Sequence, residues 1–199
     1  AANAPVPEIR AEGIWEDRPA MLLEWCAGRT VADELQARPM HAYRLGVQFG
    51  TVQAAIHAAP MGYDLNNLAG RWLLAAGPEE DAIRRRLRTL ATPDVLLHLD
   101  YHPRNVMTDG ERITGVLDWS NALPGDRRAD LARTASILRL MSGSVSSVVV
   151  RVFERGWWAG YRQAAGRQRD MPGFYAWAGV LMQRDLAPRV GRPGTGLTE

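Results

Sequence analysis

Apolar and polar residues intermix over Ile9–Trp15, and Pro19–Trp25 is a short, mostly apolar run. Both stretches read as short strands, and the polar Glu16-Asp17-Arg18 between them predicts the turn of a hairpin. Gly28 breaks the pattern. Thr30 followed by Asp33 resembles a capping box that opens a short helix toward Gln36. From Met40 to about Ala58, Leu45, Phe49, Val52, Ala55 and Ile56 recur at helical spacing, and Pro60 ends the run. Residues 61–78 read as irregular with one short helix. Glu79–Leu90 reads as a helix with acids early and arginines late, which suits the helix dipole.

The period then shortens. Val95–Leu97 reads as a brief strand, Leu99–Asn105 as a polar loop containing Pro103, and Val106–Met107 and Ile113–Leu117 as two strands joined at Asp109-Gly110, a hairpin turn signal. Helical spacing returns over Ala129–Met141, Ser144–Ala165 and Phe174–Gln183, and the Gly- and Pro-rich stretch 191–199 reads as a flexible tail. A small β element is thus followed by a mostly helical body with one hairpin set into it.

Composition changes this picture in several ways. With 199 residues, 46 % of them apolar, the chain can bury a core of one domain or one lobe. It has no apolar run near the ~18 residues of a membrane span and no secretory signal pattern, and its single cysteine, Cys26, cannot form an internal disulfide; these features point to a cytoplasmic, non-membrane protein. The arginines of Ala82–Leu90 read as a solvated helix face rather than a nucleic-acid site. Finally, all 24 basic residues are arginine, so a mechanism that needs an ammonium group cannot be completed by this chain alone. The Ala at position 1 and the immediate entry into strand-like sequence suggest a processed or truncated chain.

Candidate chemistry lies at the two entrances of the second hairpin, in Leu97-His98-Leu99-Asp100-Tyr101-His102-Pro103-Arg104-Asn105 and Gly115-Val116-Leu117-Asp118-Trp119. A loop carboxylate five residues before an amide, and a second carboxylate after the next strand, can face one pocket. Carboxylate, amide oxygen and water form a hard-oxygen set suited to Mg²⁺, and the other carboxylate can take a proton from a hydroxyl nucleophile. Phosphoryl transfer requires that equipment. Trp119 and the aromatic group Trp157, Trp158, Tyr161, Tyr175 and Trp177 read as packing, Asp126 as a helix cap and His102 as a loop-shaping residue.

His98-x-Asp100-x-x-x-x-Asn105 has the form of the protein-kinase catalytic loop, with Asp118-Trp119 where the Asp-Phe-Gly motif would stand. With His102-Pro103 inside the loop, and Gly125-Asp126 and Asp130-Leu131-Ala132 after it, residues 97–132 resemble the aminoglycoside phosphotransferase and choline kinase family. Met21–Trp25 looks like its interlobe hinge. The resemblance implies an α+β, protein-kinase-like fold. Residues 1–26 would be a remnant of the N-terminal β lobe with the hinge, 27–190 the helical catalytic lobe, and 191–199 the tail. It implies an ATP- and Mg²⁺-dependent kinase acting on a small-molecule hydroxyl. Asp100 would be the catalytic base and His98 its brace. Asn105 and Asp118 would hold Mg²⁺, and Glu24, Trp25 and Cys26 would meet the adenine. Asp130 would tie the following helix to the loop backbone. The family's Gly-rich loop and strand lysine are missing here, which implies an incomplete catalytic lobe with little turnover of its own. Two other readings stand beside this one: a non-catalytic kinase relic that binds nucleotide, and a metal hydrolase built on His98, Asp100 and His102.

Overall fold

A computed structural model describes residues 4–61, 67–74, 81–90, 95–140 and 145–187. The chain opens with a hairpin, β1 (Ile9–Trp15) and β2 (Arg18–Leu23), paired antiparallel. Glu16 and Asp17 form its turn with φ of 47° and 58°, the left-handed pair that matches strand twist in a two-residue loop. β3 (Arg29–Thr30) leads into α1 (Val31–Ala37). Thr30 Oγ1 accepts from the Asp33 amide at 3.1 Å and donates to Asp33 Oδ2 at 2.6 Å, so the cap forms as the spacing predicts. A 3₁₀ turn at Pro39–His41 precedes α2 (Ala42–Ala58), which therefore starts two residues later than the apolar spacing suggests.

Beyond α2 come the short α3 (Arg71–Leu74) and α4 (Asp81–Leu90), then β4 (Val95–Leu97), β5 (Val106–Thr108), β6 (Ile113–Val116) and β7 (Leu123–Gly125). The body closes with α5 (Arg127–Leu140), α6 (Ser147–Ala165) and α7 (Pro172–Leu186). The sheets are small, ordered β3-β5-β6 and β4-β7. The β5–β6 connection is wider than a tight Asp-Gly turn. Asp109 Oδ1 accepts from the amides of Glu111 (2.8 Å) and Arg112 (2.9 Å), which gathers residues 109–112 into a four-residue loop. The 191–199 tail, and the parts of the irregular 61–78 stretch at 62–66 and 75–78, lie outside the described residues. Among the described residues no helix is long and apolar enough to cross a membrane.

The core has two centres. One joins α1, α2, α5, α6 and the β5–β6 hairpin around Leu45, Phe49, Tyr101, Leu131, Phe153 and Trp157. The other joins α3, α4, α5 and α7 around Trp72, Leu87, Phe174 and Trp177. Trp157, Tyr161 and Trp177 are fully buried, while Trp158 and Tyr175 pack partly buried against the first centre. These aromatics are packing residues, as expected.

α2 and α6 lie closer than ordinary side chains allow. A methyl group on Gly46 would stand 2.3 Å from the Phe153 carbonyl oxygen, and one on Gly50 would stand 2.1 Å from that of Trp157. From the other helix, methyls on Gly156 and Gly160 would meet the carbonyl oxygens of Tyr43 and Val47 at 2.2 and 2.0 Å. Spaced four apart on both helices, these glycines let backbone meet backbone. Gly50→Ala must push the helices apart and is expected to destabilise the fold by about 1–3 kcal/mol. Gly179→Ala, on exposed α7 with open space around it, should be neutral or stabilising by about 0.5–1 kcal/mol. Urea unfolding of the two variants measures the contrast.

Candidate active site

The loop 98–105 runs from β4 to β5 and is held from both sides. Leu99 has φ 61°, a left-handed conformation that costs a bulky non-glycine residue about 1–3 kcal/mol. Its amide donates to Asp130 Oδ1 at 2.6 Å, which offsets that strain and fixes the loop to α5. Asp130 is fully buried. Its other oxygen, Oδ2, accepts from Gln53 Nε2 and meets His57 Nε2, both at 3.0 Å. The network continues: Trp157 Nε1 donates to Gln53 Oε1 (2.7 Å), His57 Nδ1 meets Tyr161 OH (2.7 Å), and Thr134 Oγ1 donates to the Tyr101 carbonyl (3.0 Å). Burial alone would raise the Asp130 carboxyl, but the His57 hydrogen bond and charge, with help from His98 and Gln53, hold it below the usual carboxylate range.

On the other side, buried His98 uses both ring nitrogens. Nε2 lies 3.0 Å from the Leu117 carbonyl and Nδ1 accepts the Asp100 amide at 3.3 Å, so the proton belongs on Nε2. Trp119 covers the ring at 4.7 Å. A histidine so engaged braces the loop, and it has no nitrogen left for a metal. The His98/Asp100/His102 hydrolase set is therefore not assembled, and no group of three His, Cys, Asp or Glu able to hold a metal occurs among the described residues.

Asp100 and Asn105 come together. Asn105 Nδ2 donates to the Asp100 carbonyl (3.1 Å) and to Asp100 Oδ2 (3.2 Å), leaving the amide Oδ1 outside both bonds. His102 Nε2 lies 3.5 Å from Asp100 Oδ1, and its Nδ1 accepts the Arg104 amide. The His102 hydrogen bond outweighs partial burial, and with the charges of His102, Arg133 and His98 it keeps the half-buried Asp100 carboxyl below its ordinary range.

Asp118 lies just past the second strand of the hairpin. Val106 pairs with Val116, and Leu117 N–H donates to the Asn105 carbonyl at 2.8 Å, so Asp118 follows directly on the residue bonded to Asn105. It is exposed, has φ 61°, and accepts Ser120 Oγ on Oδ1 at 2.6 Å. Amide Oδ1 of Asn105 and carboxylate Oδ2 of Asp118 are hard oxygens outside these bonds, a donor set that fits Mg²⁺.

The third predicted group stands on the chain between β2 and β3. The Glu24 amide donates to the Glu8 carbonyl (2.8 Å), and its carboxylate pairs with Arg10. Trp25 is 89 % exposed. Cys26 packs on β6, where a methyl on Gly115 would stand 2.4 Å from its Sγ; burial and then Glu24 push its thiol up, away from the thiolate form. Sequence reasoning missed Gln53, His57 and Thr134. The signal available was a polar pair, Gln53 and His57, four apart among the apolar positions of α2.

Asp130→Ala leaves His57, Gln53 and the Leu99 amide without their buried acceptor and is expected to cost about 3–5 kcal/mol in urea unfolding. The carboxyl is lowered in the folded state, so its stabilisation is present above the unfolded value of about 3.9 and is lost as pH falls through the lower folded value. Asp130→Asn should flatten that part of the stability–pH curve.

Comparison with known proteins places the chain in a family. The chain is 49 % identical over 37 residues to hygromycin-B 4-O-kinase of Escherichia coli, a stretch covering 19 % of this chain and 11 % of that enzyme. Aminoglycoside-3'-phosphotransferase of type VIII superposes over 90 % of this chain and 74 % of its own, at a TM-score of 0.61 and 18 % identity. A thermostable mutant of aminoglycoside phosphotransferase APH(4)-Ia, solved as a ternary complex with AMP-PNP and hygromycin B, superposes over 95 % of this chain and 72 % of its own, at 0.61 and 18 % identity. These structures share the α+β, kinase-like fold. The profile of the phosphotransferase enzyme family matches residues 1–178, and the chain belongs to that family.

Proposed function

We propose that residues 27–190 are the catalytic lobe of an ATP-dependent kinase that transfers the γ-phosphate to a hydroxyl of a small molecule, with residues 1–26 supplying a β element and the hinge. The observation that carries this reading is the pairing of Asp100 with Asn105 at 3.2 Å, with Asp118 brought alongside by the β5–β6 hairpin. In this reading Asp100 is the base. It accepts the proton of the acceptor hydroxyl as that oxygen forms its bond to the γ-phosphorus and the bond to ADP breaks. A carboxyl held low by His102 is ionised and ready at neutral pH. His98 is a positioning residue. Asn105 and Asp118 would hold Mg²⁺, which when bound neutralises phosphate charge. Glu24, Trp25 and Cys26 would face the adenine through backbone groups, and the chemistry belongs in the cytoplasm, where ATP and Mg²⁺ are plentiful.

The absence of lysine favours a second reading, a nucleotide-binding relic without turnover, because the strand lysine that clamps phosphates in such enzymes has no counterpart in this chain. One experiment separates the two. ADP release is followed across a panel of hydroxylated acceptors, with nucleotide affinity measured by calorimetry. If Asp100 is the base, Asp100→Asn lowers the rate about 10²–10⁴-fold while AMP-PNP affinity holds, and Asp118→Ala weakens Mg²⁺-dependent nucleotide binding itself. Tight nucleotide binding without ADP release in the unaltered protein supports the relic.

A further inference from the structure

Helix α6 has two faces. Gly156 and Gly160 turn one of them to α2, with Phe153 and Trp157 buried beside them. The opposite face carries Arg151, Arg155, Trp158 and Arg162, each three or four residues from the next and so on one stripe of the helix, and all three arginines are exposed. There a cavity of about 600 Å³ opens, lined by these four residues and by Tyr43 from the first turn of α2. Its volume falls within the roughly 300–1,000 Å³ of small-molecule sites. The buried network behind Asp130 meets α6 at Trp157 and Tyr161, on the inner face, so the cavity stands apart from the candidate active site.

Its wall joins positive charge to aromatic surface. Among the described residues it carries three guanidiniums and one carboxylate, Glu154, which pairs with Arg139 of α5 at 3.5 Å. Arg162 Nε donates to the Trp158 carbonyl at 3.0 Å, which steadies the side chain and leaves its two terminal nitrogens outside that bond. The Trp158 ring packs 4.4 Å from that of buried Trp157, so it is a held platform rather than a loose side chain. Tyr43 supplies a second, exposed ring. Arg155 stands one turn before Trp158 and Arg162 one turn after it, and Arg151 lies a further turn, about 6 Å, beyond Arg155. A flat ring seated on Trp158 therefore has a guanidinium within a turn on either side, and phosphates leaving it meet Arg155 and then Arg151. Guanidinium groups match phosphate oxygens two at a time and also stack on aromatic planes. An acidic peptide would use the charges and leave the rings idle, and an uncharged ring would do the reverse.

We infer that this cavity binds a free nucleotide, at a site separate from the one proposed above: Trp158 and Tyr43 take the base, and Arg155 and Arg151 take the phosphates. No residue of this wall belongs to the candidate active site, so the inference needs neither Mg²⁺ at Asn105 and Asp118 nor the kinase reading. An exposed contact between opposite charges is weak in water. Stacking on an aromatic ring tolerates any base but carries no preference for phosphate. Affinity here therefore comes from ring and charge together, and neither half of the ligand suffices alone.

Calorimetry on the whole chain tests this with ADP, pyrophosphate and adenosine as probes, with Mg²⁺ chelated and Asp118→Ala in place to silence metal-dependent binding. ADP is expected to bind at least ~10-fold tighter than either half-ligand. Changing Arg151→Glu and Arg155→Glu together, both at exposed positions, should weaken ADP at least ~10-fold while the urea unfolding midpoint holds. Arg155→Gln alone and Tyr43→Ala alone should each weaken it several-fold. The absence of ADP binding under these conditions overturns the inference, as does an ADP affinity indifferent to the arginine changes. Pyrophosphate binding as tightly as ADP overturns it too, since the face then takes any anion. A short single-stranded oligonucleotide that binds at least ~10-fold tighter than ADP assigns the surface to a nucleic-acid strand instead of a free nucleotide.

Discussion

The bond from the Leu99 amide to the buried Asp130 carboxylate sets the geometry of everything near the site. A carboxylate with no exposure is tolerated only when several donors surround it. Here Leu99, Gln53 and His57 do so, from the loop and from α2. Because α5 is locked in the core by Leu131 and Leu138, its carboxylate is a fixed point, and the loop must come to it. Leu99 adopts a left-handed backbone to do so, and the next residue is the candidate base. His98 repeats the arrangement one residue earlier, tying the loop to the Leu117 carbonyl. Two pinned residues thus lead directly into Asp100, the kind of preorganisation that electrostatic catalysis needs.

The network in turn depends on the glycines of α2 and α6. Gln53 and His57 point from α2 toward α5, and their outer ends are held by Trp157 and Tyr161 of α6. Those bonds, both 2.7 Å, require the helices to sit at backbone contact, which Gly46, Gly50, Gly156 and Gly160 permit. Small residues on two helices, a short interhelical distance, satisfied buried polar groups and a fixed loop form one causal sequence. A partly satisfied network would be worse than an apolar one, so close packing here serves the site as much as the core.

The loop and hairpin were legible from sequence because their signals are local. A catalytic-loop spacing, an Asp-Gly turn signal and a Thr-x-x-Asp cap each fit within about ten residues; the loop, the hairpin and the cap are present, the turn widened to four residues. What escaped was non-local. β7 reads as a breaker because Leu123-Pro124-Gly125 lacks strand formers, yet it pairs with β4, and its glycine is needed because Trp72 presses against that position. β3 is two residues long and exists only because β5 is there to pair with it. Gln53 and His57 carry no local signal of a partner, and only the fold shows that they meet Asp130, more than seventy residues away. The glycine spacing of four on α2 and α6 was visible in the sequence but gained meaning only once those helices were neighbours.

The hairpin β1–β2 obeys a different physics from the body. Its residues are exposed on both faces, Ile14, Trp15, Met21 and Leu22 among them, so its apolar side chains add little burial to the described fold. A two-stranded ribbon with no covered face is marginal by itself. What holds its position is its root: the Pro5 carbonyl accepts the Val116 amide at 2.9 Å, the Ala27 carbonyl accepts Thr114 Oγ1 at 2.7 Å, and Cys26 rests on Gly115. All three contacts fall on β6, the strand that delivers Asp118. The segment proposed to face adenine is therefore fastened to the same four-residue strand that leads to the carboxylate proposed to face the metal. Displacing the root of the hairpin must disturb β6, and through it the position of Asp118 relative to the proposed base.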